Sequence, residues 1–298
     1  MAPLTPEQVW KLLGEQFPDL RTEGVERLDT GGEHYTFAVG NDLIFRFPRD
    51  AATAAKTARE VALLAELAPV LPLPVPTVRY LGRLSAWFPY LFTGQQRIAG
   101  VMGEVLRPPQ EHWPQLAEQL GAFFSALHAF TVERAAGIGI RSRPLEAPEV
   151  LIADTVHYRP LIERACPELV SGPAAPYLRG DVLVPPPASL PLVMSHADLK
   201  GEHIFVSPDG ASITGVIDWS DVALCEPSVD LQDLLIWLGP GFLRLVLEHY
   251  RGPVDEHILE RAVTYRRYEC LRAIGVRLAR LSDDPLDLLM TQQRWAFA

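Results

Sequence analysis

The feature that most restricts the fold of this sequence is a change of hydrophobic period near Gly100. Before it, short apolar runs alternate with turn residues. Tyr35–Val39 and Leu43–Phe47 flank Gly40-Asn41-Asp42, the pattern of a β-hairpin. A second strand pair is expected around Thr77–Gly82 and Tyr90–Ile98. Val9, Trp10, Leu13 and Phe17 recur at helical spacing after Pro6. Ala51–Leu67 is rich in Ala, Leu and Glu and reads as a helix, stopped by the prolines at 69, 72, 74 and 76. After Gly100 the longer period dominates. Leu116, Leu120, Phe123, Phe124, Leu127 and Phe130 mark one face of a helix. Residues 137–192 are less regular. Two short strands, Ile204–Val206 and Ile213–Ile217, are joined by the turn Ser207-Pro208-Asp209-Gly210. From Leu231 the chain is helical in pieces, broken at Gly239-Pro240 and Gly252-Pro253. The pattern predicts an α+β fold. Residues 1–100 form a small antiparallel sheet with a helix packed on it, and residues 101–298 form a larger, mainly helical lobe.

Charge narrows the partners. The 298 residues carry 27 Lys plus Arg against 37 Asp plus Glu, a net of −10 without a basic stripe, which argues against nucleic acid. Residues 1–100 hold 10 basic and 11 acidic side chains, and the remainder holds 17 and 26, so the acidity lies in the later part. Such an excess either keeps the chain soluble or forms a cation-attracting cleft. Lys occurs only at positions 11, 56 and 200. No run of about 18 apolar residues is present, so no spanning helix and no membrane partner are expected. The first residues lack the pattern of a signal peptide. Cys166, Cys225 and Cys270 are scattered without metal-ligand spacing, which fits a reducing compartment; a cytoplasmic protein is expected, and a monomer.

The residues richest in chemistry lie between Met194 and Asp230. His196-Ala197-Asp198 is followed five residues later by His203, and Asp218 ends the apolar run Val216-Ile217. Singly, each has an ordinary reading, since a loop Asp is commonly a turn or cap residue. Together they are two metal-competent side chains beside a carboxylate left to act as a base. Phosphoryl transfer needs this division of labour: a cation neutralises phosphate oxygens while a free Asp orients and deprotonates the attacking hydroxyl.

The segment His196-Ala197-Asp198-Leu199-Lys200-Gly201-Glu202-His203 resembles the catalytic loop of the aminoglycoside phosphotransferase family, which has a protein-kinase-like two-lobe fold. Val216-Ile217-Asp218-Trp219-Ser220-Asp221 resembles its metal-binding segment, and Glu226-Pro227-Ser228-Val229-Asp230-Leu231 the segment that follows. The resemblance implies that Asp198 is the catalytic base and touches the acceptor, that His203 and Asp218 hold Mg²⁺, and that Asp230 is structural. In the first lobe Leu43–Arg49 resembles the strand carrying the phosphate-binding Lys, with Arg46 in its place. Arg59–Leu64 resembles the following helix, so Glu60 pairs with Arg46. Thr30, Gly31 and Gly32 fall where a phosphate-covering loop is expected, and Gln96, Arg97 and Ile98 where the backbone meets the nucleotide base. The resemblance runs from about Leu28 to Ala273 and is nearest to the aminoglycoside 2″-phosphotransferase and macrolide 2′-phosphotransferase branches. In the former an acidic residue of a late helix receives substrate ammonium groups, and Glu269 falls there.

Three departures from the family pattern stand out. Ala197 replaces a Gly, which matters if the backbone needs positive φ. His203 is an imidazole where Mg²⁺ prefers oxygen, and it suits Mn²⁺ better. Arg46 offers a fork rather than a point charge. The resemblance implies transfer of the γ-phosphoryl group of ATP or GTP to a hydroxyl of an aminoglycoside-type antibiotic, a resistance activity. The acidity of the later part favours a cationic acceptor. The alternatives are a macrolide kinase, a kinase for an amino alcohol or sugar, and a non-catalytic nucleotide-binding protein on the same scaffold.

Overall fold

Phe37, Phe45, Phe47 and Phe92 point to one face of a sheet, and that alternation organises the first part of the chain. The computed structural model describes residues 4–20, 24–28, 32–85, 88–186 and 190–298. The chain divides into two units, one comprising residues up to Ala99 together with Thr214–Ser220, the other Gly100–Ile213 and Asp221–Ala298.

In the first unit a Thr5–Gln8 capping box opens helix α1 (Pro6–Gln16). Strands β1 (Val25–Leu28), β2 (His34–Val39) and β3 (Leu43–Pro48) precede helix α2 (Ala51–Leu67), and β4 (Val78–Gly82) and β5 (Phe92–Gln96) follow it. The sheet runs β1-β2-β3-β5-β4, with every neighbouring pair antiparallel. Tyr35 pairs with Phe47 and Phe37 with Phe45, so one face is aromatic and takes Val9, Leu12 and Leu13 of α1. Each such side chain contributes about 1.5–3 kcal/mol on burial. Trp10, expected on that face, is 55% exposed, and Leu12 is buried instead. Positions 9, 12 and 13 share a stripe, whereas position 10 lies a further 100° round the helix. Thr36 pairs with Arg46, which puts His34, Thr36 and Arg46 on the opposite face. There α2 presents Thr53, Thr57 and Glu60, spaced i, i+4, i+7.

The second unit holds β6 (Val101–Met102), α3 (Trp113–His128), α4 (Val132–Gly137), α5 (Pro148–Ala165) and α6 (Ala175–Arg179). Strands β7 (Val193–Ser195), β8 (Ile204–Val206), β9 (Ile213–Val216) and β10 (Ala223–Cys225) come next in the chain, β9 after Ile213 belonging to the segment assigned to the first unit. Helices α7 (Ser228–Gln232), α8 (Leu234–His249), α9 (Ile258–Leu278) and α10 (Leu286–Ala296) complete it. β7 pairs with β10, and β6 with β8. Gly121 lets α3 approach α8, since a Cβ there would meet His249 Cβ at 2.5 Å. The break expected at Gly239-Pro240 is real, because Gly239 has φ 80° inside α8. The 18-residue helix α5 lies in the segment read as irregular; only Leu151, Thr155 and Ile162 of it are buried, too few to set a clear period. Among the described residues no helix is long and apolar enough to cross a membrane.

Candidate functional site

The loop between β7 and β8 is held from beneath by one carboxylate. Asp230 of α7 is fully buried; its Oδ1 accepts the N–H of Ala197 at 2.7 Å and its Oδ2 the N–H of His196 at 3.0 Å. His128 Nε2 also donates to Oδ2, at 3.0 Å, which leaves Nδ1 to accept the hydroxyl of Tyr250 at 2.6 Å. These bonds pin Ala197 at φ 67°, in the left-handed region that Gly adopts freely and Ala does not. The position does require positive φ, and the next residue, Asp198, is presented at the turn. Gly201 packs on Trp237, where a Cβ would meet the indole at 2.5 Å, and the Gly201 carbonyl accepts the N–H of Glu104.

Charged groups cluster on this loop. Lys200 Nζ lies 3.2 Å from Asp198 Oδ1 and 2.7 Å from Glu202 Oε1. His203 Nδ1 is 2.6 Å from the Asp198 carbonyl oxygen, so it is the donor, and in the neutral ring the lone pair is on Nε2. Nε2 lies 3.6 Å from Glu202 Oε1. One ligand atom each from Asp198, Glu202 and His203 fits within 4.8 Å. That set of one imidazole nitrogen and carboxylate oxygens suits Mg²⁺ less well than Mn²⁺, though it admits either. Burial raises the Asp198 carboxyl above the ordinary carboxylate range, while Lys200 and His203 pull against it. Burial also opposes the Lys200 charge, yet Asp198 and Glu202 more than offset it and hold the ammonium above its usual range.

The first unit carries its own charged constellation. Arg46 Nη1 donates to Glu60 Oε1 at 2.7 Å, and Nη2 lies 3.5 Å from Asp218 Oδ1. Burial disfavours the guanidinium charge, and Glu60 and then Asp218 more than restore it. Asp218 sits at φ 64° just after β9 and accepts the Ser220 hydroxyl at 3.0 Å. Asp tolerates this conformation better than most residues.

The structure thus joins Arg46, Glu60 and Asp218 in one unit, and Asp198 and His203 in the other. Gln96, Arg97 and Ile98 lie at the end of β5. Two of their backbone donors are already used, Gln96 N–H by the Thr77 carbonyl at 3.0 Å and Arg97 N–H by that of Asp42 at 2.7 Å. Gly32 has open space where a Cβ would stand, whereas Thr30 and Gly31 lie outside the described residues. Glu269 is on α9, where Arg266 Nη1 meets its Oε2 at 3.2 Å and Asp233 Oδ1 at 3.0 Å. Lys200, Glu202, His34 and Asp233 were not singled out from the sequence as site residues. The alternation of charge at positions 198, 200 and 202 was the available signal for the first two.

A family model described as phosphotransferase enzyme family matches residues 24–269. The chain belongs to that family. Solved structures share its fold. The GDP complex of wild-type aminoglycoside 2'-phosphotransferase-IIIa is 23% identical with a TM-score of 0.74, the match covering 98% of this chain and 99% of that one. The GDP and kanamycin complex of APH(2")-IIIa is 25% identical with a TM-score of 0.72, over 96% and 97% of the two chains. Macrolide 2'-phosphotransferase type I is 19% identical with a TM-score of 0.65, over 100% and 99%. The expected fold, an antiparallel sheet followed by a mainly helical part, is therefore that of these phosphotransferases. Comparison with curated protein sequences gives no match.

Proposed function

We propose that this phosphotransferase moves the γ-phosphoryl group of ATP or GTP to a hydroxyl of a small antibiotic-like acceptor, of the aminoglycoside type. The observation that carries the reading is the Asp198 loop: a carboxylate presented by a left-handed Ala197, anchored through Asp230 and flanked by a lysine ammonium. Asp198 accepts the hydroxyl proton as the acceptor oxygen bonds to the γ-phosphorus. The bond from that phosphorus to the bridging oxygen breaks, and the nucleoside diphosphate leaves with the electron pair. Lys200 holds the carboxylate in place and offers positive charge close to it. Arg46, fixed by Glu60, binds phosphate oxygens, and the Gly32 turn allows backbone to approach them. The Gln96 and Arg97 carbonyls and Ile98 are the groups left to read the base. His203, through Nε2, and Asp218 are the residues suited to hold Mg²⁺ or Mn²⁺, which when bound would neutralise phosphate charge. Most of the acceleration comes from positioning and charge compensation.

The kanamycin complex of a relative supports the aminoglycoside reading, and the acceptor would contact Asp198 and, on α9, Glu269. The test is nucleotide consumption with a panel of aminoglycosides, macrolides, amino alcohols and sugars, each with ATP and with GTP. Asp198→Asn should lower kcat by at least about a thousandfold while the nucleotide still binds. Turnover retained in that variant removes Asp198 from its role. Nucleotide binding by the wild-type chain without transfer to any acceptor favours the non-catalytic alternative.

A further inference from the structure

His34 lies beside Arg46 and is only 5% exposed. It is two residues from Thr36, the cross-strand partner of Arg46, so the two side chains share a face diagonally. Its hydrogen bonds fix its tautomer. The Thr57 hydroxyl donates to the Thr53 carbonyl at 3.0 Å, so Thr57 Oγ1 is an acceptor toward the ring, and His34 Nε2–H donates to it at 2.9 Å. The lone pair is then on Nδ1, which faces Arg46 Nη2 at 3.5 Å. Burial first, and then the Arg46 charge, push the imidazole down to about 3, so the ring is neutral across the physiological range.

We propose that His34 is a positioning residue that sets the plane of the Arg46 guanidinium for nucleotide phosphates. One side of the fork is tied by Glu60 to Nη1, and the other is guided by His34 and Asp218 at Nη2. A chain of hydrogen bonds, from Nη2 through the ring and Thr57 to the α2 backbone, transmits the rigidity of the helix to the fork. A lysine ammonium at position 46 has no second nitrogen to occupy the His34 side. The histidine and the arginine therefore form one device, which explains why Arg replaces Lys here without loss of orientation. The inference rests on Arg46 holding nucleotide phosphates, as proposed above.

A double-mutant cycle tests it, with ATP and GTP binding measured by calorimetry and KM separated from kcat. His34→Phe should weaken nucleotide binding about tenfold, in KM more than in kcat. His34→Asn, whose side-chain oxygen can stand near Nδ1, should recover most of that loss. In an Arg46→Lys background the change at position 34 should have less than about a twofold effect. An equal loss in both backgrounds, or His34→Asn as poor as His34→Phe, overturns the positioning role and leaves His34 a packing residue. Should His34→Phe fail to fold, Thr57→Val replaces it in the cycle with the same expectation of coupling and a smaller loss, about threefold; additivity there overturns the proposal equally. Absence of nucleotide binding in the wild-type chain sinks the functional reading itself, whereas binding indifferent to His34 sinks only this inference.

Discussion

Replacing Asp230 with Asn tests the loop anchor most directly. The carboxylate accepts three donors, Ala197 N–H on Oδ1 and His196 N–H and His128 Nε2–H on Oδ2, with no solvent to substitute for any of them. An amide has one acceptor oxygen. Turned toward His196 and His128 it keeps two bonds and sets its NH₂ against the Ala197 N–H; turned the other way it keeps one and opposes two donors. The first arrangement costs less. It loses one charge-assisted bond, about 1.5–3 kcal/mol, and reduces the other two to neutral strength, about 0.5–1 kcal/mol each. The sum is roughly 2.5–5 kcal/mol, a large share of the 5–15 kcal/mol that typically separates folded from unfolded chains. Equilibrium urea unfolding should show that loss as a lower midpoint with an unchanged slope. Ala197 no longer has a partner holding it at φ 67°, so Asp198 shifts, and a displacement of about 1 Å is enough to lower kcat about a hundredfold. A stability loss below about 1 kcal/mol together with unaltered kcat would refute the anchor.

Two further outcomes follow from the same geometry. Ala197→Gly removes the strain of a left-handed alanine and should stabilise the protein by about 0.5–1 kcal/mol in urea unfolding, although the freer unfolded chain takes back part of the gain. Because His34 is depressed to about 3 in the folded state, the unfolded state binds the proton more tightly; stability is full above the unfolded value of about 6.5 and falls as pH drops below it. Between pH 6.5 and 5 the wild-type chain should lose about 1.5 kcal/mol relative to His34→Asn in paired urea titrations.

The sequence carried the strand and helix pattern well where burial was periodic. Helix α2 occupies the span its composition predicts, and the hairpin of β2 and β3 turns on Gly40-Asn41-Asp42. It failed at β1, four residues reading Val-Glu-Arg-Leu with no fully buried position, and at α5, where three buried residues leave no clear period. The proposed site residues Asp198, His203, Asp218, Arg46 and Glu60 stand out in the sequence as identities, by motif and spacing. What spacing could not give was the partnership. Nothing local announces that Asp230 holds the backbone of residues 196 and 197 from over thirty positions away, or that His34 reaches Arg46 across two strands. Such contacts depend on register and on which face of α2 meets the sheet.

The acidity of the later part also takes on a different meaning once its partners are known. Residues 101–298 carry 26 acidic side chains against 17 basic ones, which favoured a cationic acceptor. Six of those carboxylates already have arginine partners. Glu226 and Asp255 meet the buried Arg261, Asp233 and Glu269 meet Arg266, and Glu146 and Asp154 meet Arg272. An acceptor ammonium arriving at Glu269 therefore competes with the Arg266 guanidinium, which is held at 3.0 Å by the nearly buried Asp233. Arg266→Met removes that competitor and leaves two carboxylates together. The loss of a partner from a mostly buried ion pair should cost about 3 kcal/mol in urea unfolding. The same change should tighten binding of a polyamine-rich acceptor such as kanamycin about tenfold, because its ammonium then meets both carboxylates. A kanamycin KM unmoved by Arg266→Met, in a variant that remains folded, would place the acceptor away from α9 and withdraw Glu269 as its contact.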